Sequence, residues 1–196
     1  TYRQLKTIFK AACNYKIISD NPMSRIDRIS EPKSKKQFPE AEDFDKLLAY
    51  TKEQNYDMYL FIKFLSLSGL RKGEALALTW DDIKNNRIHV NKAYETHAKK
   101  IQSPKNANSI RQVPILPEAQ KILDELDKNS KYIFSNIYKD AVSKRLRIYN
   151  KRLGTNITLH TFRHYYTTLC TEAGINLKTI NTWTGRTSTK VTLGTY

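Results

Sequence analysis

A chain of 196 residues holds one good-sized domain and a fragment of another; 39% apolar residues suffice for a core, and only 6 Gly and 6 Pro argue against low complexity. Its 34 Lys and Arg against 19 Asp and Glu leave a net charge of +15, a field that draws polyanions such as nucleic acid or an anionic membrane surface. No run approaches the roughly 18 apolar residues of a membrane span, no signal-peptide pattern opens the chain, and no Lys-rich amphipathic anchor with a Trp/Leu face is present. Nucleic acid is therefore the expected partner, with no membrane. Cys13 and Cys170 form no C-x-x-C pair and fit buried thiols in a reducing cytosol.

Residues 1–18 carry Leu5, Ile8, Phe9, Ala12 and Tyr15 at a spacing that lines one helix face, and Asp20-Asn21-Pro22 is expected to end that helix. Ser30 to Pro39 is charged, proline-flanked and aperiodic, which reads as a linker. The expected organisation is residues 1–29 as the last helix of a truncated module, 30–38 as linker and 39–196 as the main domain. Within that domain, Glu40–Tyr50 is a helix behind an acidic first turn, and Tyr56–Leu67 is apolar on nearly every side and reads as a buried helix. Gly69 breaks it, and Arg71–Leu78 starts a short helix. Asn85-Asn86 is a turn signal, while Arg87–Asn91 and Ile110–Ile115 alternate as strands of a small antiparallel sheet. Helical patterns resume at Pro117–Leu126, Ala141–Leu153, His160–Ala173 and Asn176–Trp183, with Gly174 as a helix stop. The fold class is α+β, mainly helical with a small antiparallel sheet.

Four segments carry chemistry, in chain order: Ser68-Gly-Leu-Arg-Lys-Gly-Glu74, Ser103-Pro-Lys-Asn-Ala-Asn-Ser-Ile-Arg-Gln-Val-Pro114, Leu159-His-Thr-Phe-Arg-His164, and Thr184-Gly-Arg186 with Tyr196 ten positions after it. Cutting a DNA strand while conserving its bond energy needs a nucleophile that becomes covalently attached, and a tyrosine phenolate can both attack phosphorus and leave again. Fixed guanidiniums hold the charge growing on the non-bridging oxygens, and a lysine or histidine can protonate the leaving oxygen. Such a scheme needs no metal and no cofactor. Arg71 with Glu74 one turn on reads as a phosphate clamp at a helix start, or as an exposed arginine with a routine partner. His160 and Arg163, three apart, share a helix face, where they hold a phosphate or merely face water. His160 and His164 also have the i, i+4 spacing of zinc helices, but Thr161 stands where the glutamate of that motif belongs and no third ligand is evident. Tyr165 and Tyr166 follow Arg163 inside a helix, where tyrosines usually fill core or line a groove, whereas Tyr196 follows a short polar segment after Gly185-Arg186, where a nucleophile has room to approach a phosphate.

These segments resemble the tyrosine recombinase (phage integrase) family over residues 39 to 196. Gly-Leu-Arg71-x-x-Glu74-x-x-x-Leu up to Trp80 looks like its first arginine box, and His160-x-x-Arg163-His164 like its second. Pro-Lys105-Asn-x-x-Ser-x-Arg-x-Val-Pro is similar to the hairpin that presents the family's lysine. The resemblance implies a phosphate site of Arg71, Arg163 and His160, with Lys105 as general acid, Tyr196 as nucleophile, and Glu74 and His164 in support. Thr184-Gly185-Arg186 departs from the usual Leu-Gly-His. Arg186 can replace that histidine as a donor but cannot titrate, so it is either a working substitute or an impairment.

The resemblance further implies a catalytic domain that clamps double-stranded DNA together with a helical N-terminal domain ending in residues 1–29. It implies a 3′-phosphotyrosyl intermediate and a homo-tetramer on paired DNA sites, with accessory DNA-bending or directionality factors as possible partners. The expected function is integration or excision of a phage or other mobile element in a bacterial cytoplasm, in association with the nucleoid. The rivals are a catalytically silent DNA-binding protein of the same fold, a type IB topoisomerase-like enzyme and, weakest, a metal-dependent nuclease.

Overall fold

The chain divides into two units, Thr1–Gln37 and Phe38–Tyr196, of which the computed structural model describes residues 2–27, 41–103 and 110–186. The expected linker, residues 30–38, lies outside the described residues.

In the first unit, α1 runs Tyr2–Asn14, shorter than the sequence pattern suggests. Its stop is local and not proline-driven. Lys16 adopts φ +56, and the amides of Lys16 and Ile17 return to the carbonyls of Cys13 and Ala12, each at 2.9 Å. That is a Schellman closure with lysine in the left-handed position that glycine usually takes. Asn21 then caps a 3₁₀ turn, Pro22–Arg25, its side chain accepting from the Met23 amide at 2.9 Å.

The second unit is built round a buried helix. Its elements are α2 (Ala41–Gln54), α3 (Tyr56–Ser68), α4 (Lys72–Ala77), α5 (Pro117–Glu125), α6 (Val142–Leu153), α7 (Leu159–Glu172) and α8 (Leu177–Thr184), with strands β1 (Ile83–Lys84), β2 (Arg87–Val90), β3 (Ala93–Glu95), β4 (Lys100–Gln102) and β5 (Arg111–Pro114). Met58, Leu60, Phe61, Ile62, Phe64 and Leu65 of α3 are all buried, so this helix contacts α2, α5 and α7 on different sides. Phe44 of α2 meets Phe162 of α7 edge-on at 5.4 Å and stacks on Tyr165 at 4.3 Å. Phe61 and Phe64 both close on Phe134 at 5.1 Å.

The strands form two antiparallel sheets where one was expected: β1-β2-β5, and a separate hairpin β3-β4. Asn85 and Asn86, both at positive φ (52 and 54), make the tight turn joining β1 to β2. Beyond β2, Lys92 turns to the Asp82 carboxylate (2.6 and 2.5 Å). The next strand packs on α4, where a Cβ added to Gly73 would lie 2.6 Å from the Tyr94 carbonyl oxygen. This seat on α4 takes the hairpin out of the larger sheet. Among the described residues no helix is long and apolar enough to cross a membrane.

Gly69 ends α3 in the left-handed region (φ +63), and a Cβ there would sit 2.4 Å from the buried Tyr166 ring. Gly69→Ala should therefore cost at least about 2 kcal/mol, from backbone strain and overpacking together. Gly154, at φ +69 with nothing within 4 Å, isolates the backbone cost, and Gly154→Ala should lose only about 1 kcal/mol. Urea denaturation of the two variants checks this; equal losses would remove the ring contact from the explanation.

Candidate active site

The site is assembled where the start of α4, strand β5, helix α7 and the end of α8 converge. Arg71 is the N-cap residue of α4 with extended backbone. Glu74, at the third helical position, reaches back so that its Oε2 accepts from the Arg71 amide at 2.7 Å and its Oε1 from Arg71 Nη1 at 2.8 Å. The other face of this carboxylate takes Arg111 from β5 in a two-pronged pair, Nη1 to Oε1 at 2.8 Å and Nη2 to Oε2 at 2.7 Å. Both partners are inside the protein, with side chains 2% (Arg111) and 6% (Glu74) exposed.

The end of α8 comes to the same place. Gly185 stops that helix in the left-handed conformation, and the amides of Gly185 and Arg186 bond back to the carbonyls of Thr182 (3.1 Å) and Asn181 (3.0 Å). This closure fixes the backbone of Arg186. Two of the terminal carbonyls are taken by arginines: Trp183 accepts from Arg111 Nε at 2.6 Å, and Gly185 accepts from Arg71 Nη2 at 3.1 Å. Guanidiniums at this pole also complement the helix dipole. From α7, Arg163 is 2% exposed and donates Nη1 to the Gly69 carbonyl at 2.9 Å, tying α7 to the turn that precedes Arg71.

The guanidiniums of Arg71, Arg111 and Arg186 and the Glu74 carboxylate all act on Arg163, so that these five groups carry three positive charges in excess. Burial works to raise the Glu74 pKa, but the bonds from Arg111 and Arg71 outweigh it and hold the carboxyl below its ordinary range. Burial pushes Arg163 down to about 9, helped by the charges of Arg71, Arg111 and Arg186 and opposed by Glu74. Arg163 still carries its proton at pH 7. Between that value and the usual arginine range the unfolded chain binds more protons at this position, so stability from this group rises with pH there. At neutral pH the crowded charge is a cost to the fold. Arg71 keeps 46% of its side chain accessible and is the exposed edge of the cluster.

His160 sits exposed in the first turn of α7, one turn before Arg163, and its ring meets that of the half-buried His164 edge-on at 5.0 Å. Thr161 closes the helix cap: its hydroxyl accepts from the Thr158 amide at 3.0 Å while the Thr158 hydroxyl accepts from the Thr161 amide at 3.3 Å. Among the described residues no three His, Cys, Asp or Glu side chains gather as metal ligands. Tyr165 stacks on Phe44, and the Tyr166 ring is buried under Gly69. Lys105 and Tyr196 lie outside the described residues.

The residue that sequence reasoning passed over is Arg111. It shares strand parity with Val113 and Ile115, both buried, so an arginine there had to point inward. An inward arginine calls for a buried acid, and Glu74 is that acid.

The sequence profile of the phage integrase family matches residues 37–196. The chain is 27% identical to the ICEBs1 integrase of Bacillus subtilis (strain 168), over 98% of this chain and 58% of that protein. It is 29% identical to a tyrosine recombinase XerC-like protein of Caldanaerobacter subterraneus subsp. tengcongensis, over 98% of this chain and 59% of that one. It therefore spans under two thirds of the length of these relatives. The fold matches the Tn1549 transposon integrase in complex with a circular intermediate DNA (TM-score 0.72, 24% identity, 100% of this chain and 72% of that one). It also matches a lambda integrase tetramer bound to a Holliday junction (TM-score 0.70, 16% identity, 95% of this chain and 57% of that one). A profile match over more than three quarters of the sequence, on a fold shared with two integrases, leads to one assignment: the chain belongs to the phage integrase family.

Proposed function

We propose that this chain is the catalytic part of a site-specific tyrosine recombinase, with residues 39–196 as the catalytic domain and 1–29 as the end of a helical DNA-binding domain. The observation that carries this reading is the guanidinium cluster around Glu74, with three positive charges in excess at the confluence of four elements. A scissile phosphodiester seats on Arg71, Arg163 and Arg186, with His160 as a further donor at the rim. Tyr196 Oη attacks phosphorus, the 5′-oxygen leaves with a proton from Lys105, and a 3′-phosphotyrosyl bond holds the energy of the broken linkage. Attack by a 5′-hydroxyl of a second strand reverses these steps on a new partner. The scheme calls for no metal or cofactor.

Arg186 serves as a fixed donor where the family usually has histidine, its backbone anchored by the α8 closure. The partner is double-stranded DNA in the bacterial cytoplasm, with a homo-tetramer on paired sites and accessory DNA-bending factors. Relatives named integrase, and a structural neighbour described as a tetramer on a Holliday junction, support that assignment. The net charge of +15 supports many backbone contacts, and each phosphate neutralised should steepen the salt dependence of binding by about 0.9 in log–log slope.

The test is covalent trapping by the full-length protein on a nicked suicide duplex carrying its element's ends, with EDTA present throughout. The expected result is a slow-migrating adduct in denaturing gels that Tyr196→Phe lacks at undiminished DNA binding. Binding without adduct, persisting in Arg186→His, would instead make this a silent DNA-binding protein. Adduct formation with relaxation of supercoils irrespective of site would make it a topoisomerase.

A further inference from the structure

We infer that Arg111 is a positioning residue of this site, fixing where Arg71 and Arg186 stand by clamping Glu74 and the end of α8 to one strand; the inference rests on the recombinase reading above. Arg111 is buried, as Arg163 is, but its guanidinium is turned to protein groups rather than to an incoming phosphate, so it acts through its neighbours. All three of its nitrogens are engaged: Nη1 and Nη2 on the two Glu74 oxygens, and Nε on the Trp183 carbonyl. Glu74 in turn holds both the amide and the guanidinium of Arg71. Trp183 lies three residues before Arg186, and Gly185 packs directly on Arg111, where an added Cβ would meet its Cδ and Nη1 at 3.4 Å. A single planar guanidinium therefore sets the spacing between the start of α4 and the end of α8.

Lysine cannot reproduce this, because one ammonium on a flexible stem cannot span the carboxylate and the carbonyl in fixed directions. Displacement of Arg71 or Arg186 by about 1 Å would cost on the order of a hundredfold in rate.

The test compares Arg111→Met and Arg111→Lys with Lys92→Met, which breaks the separate Lys92–Asp82 ion pair and controls for mere destabilisation. Single-turnover adduct formation, DNA affinity, thermal stability and the side-chain NMR signals of Arg71 and Arg186 are read for each. The expected result is a roughly hundredfold slower adduct in Arg111→Met at near-unchanged affinity, a smaller loss in Arg111→Lys, shifted Arg71 and Arg186 signals in both, and a wild-type rate in Lys92→Met. If Arg111→Met does not fold, Arg111→Lys carries the comparison alone. Arg111 variants that lose stability as Lys92→Met does, with wild-type rate and unmoved Arg71 and Arg186 signals, would overturn the inference. Absence of adduct from the wild type would count against the recombinase reading, while the arginine signals still decide the role of Arg111.

Discussion

Arg163→Lys should lower the rate of the proposed phosphotyrosyl formation about a hundred- to a thousandfold, the usual loss when one pre-aimed donor to a developing oxyanion is removed. Arg163 is buried, anchored to the Gly69 carbonyl and surrounded by the charges of Arg71, Arg111 and Arg186. A lysine at this position supplies one point charge in place of a planar fork. Its ordinary pKa of about 10.4 starts below that of arginine, and surroundings that push Arg163 down to about 9 push a lysine toward neutrality. The residual activity of Arg163→Lys should consequently fall as pH rises above 7, whereas the wild type, with Arg163 at about 9, should hold its rate until the pH approaches that value. Single-turnover cleavage across pH 6 to 9 checks both statements. A lysine variant with wild-type rate and pH profile would remove Arg163 from the phosphate site.

Glu74→Gln has the largest expected effect on stability, a loss of about 3–5 kcal/mol, because it strands the buried Arg111 without its counter-charge. Combining it with Arg111→Met removes the stranded charge and should recover most of that stability, but not cleavage, since Arg71 has then lost its anchor. Urea denaturation and adduct assays of the two variants separate these effects.

The pH dependence has a definite sign. The Glu74 carboxyl lies below its ordinary pKa in the fold, so its pairing contributes in full above the ordinary value of about 4.3 and is lost as pH falls below it. Acidification through that range should weaken the wild type more than the Glu74→Gln, Arg111→Met double variant. Parallel acid profiles would show that the ion pair does not govern this segment.

Elements whose signals are local were legible in the sequence alone. The continuous apolar run of α3, the Asn85-Asn86 turn and the glycine stops at Gly69 and Gly174 each act within a few residues, and all appear where the pattern put them. The stop of α1 was not legible, because a left-handed lysine leaves no mark of the kind a glycine leaves. The separate β3-β4 hairpin was missed for another reason: it depends on the approach of Gly73 to Tyr94, a contact between elements.

The site divides the same way. Arg71, Glu74 and Arg163 stand in short motifs and could be named from them. The bonds that unite them join residues far apart in the chain, 37 positions for Arg111 to Glu74 and 114 for Arg71 to Gly185. Strand parity pointed Arg111 inward, but only the fold shows which acid it meets.

The central claim is that the guanidinium cluster around Glu74 presents a phosphodiester to Tyr196. It is tested most directly by digesting the trapped adduct with protease and nuclease and locating the attached nucleotide by mass spectrometry. The account predicts a single modified peptide, linked through Tyr196 to a 3′-phosphate. Attachment at Tyr165, Tyr166 or any other residue, or linkage to a 5′-phosphate, would contradict it.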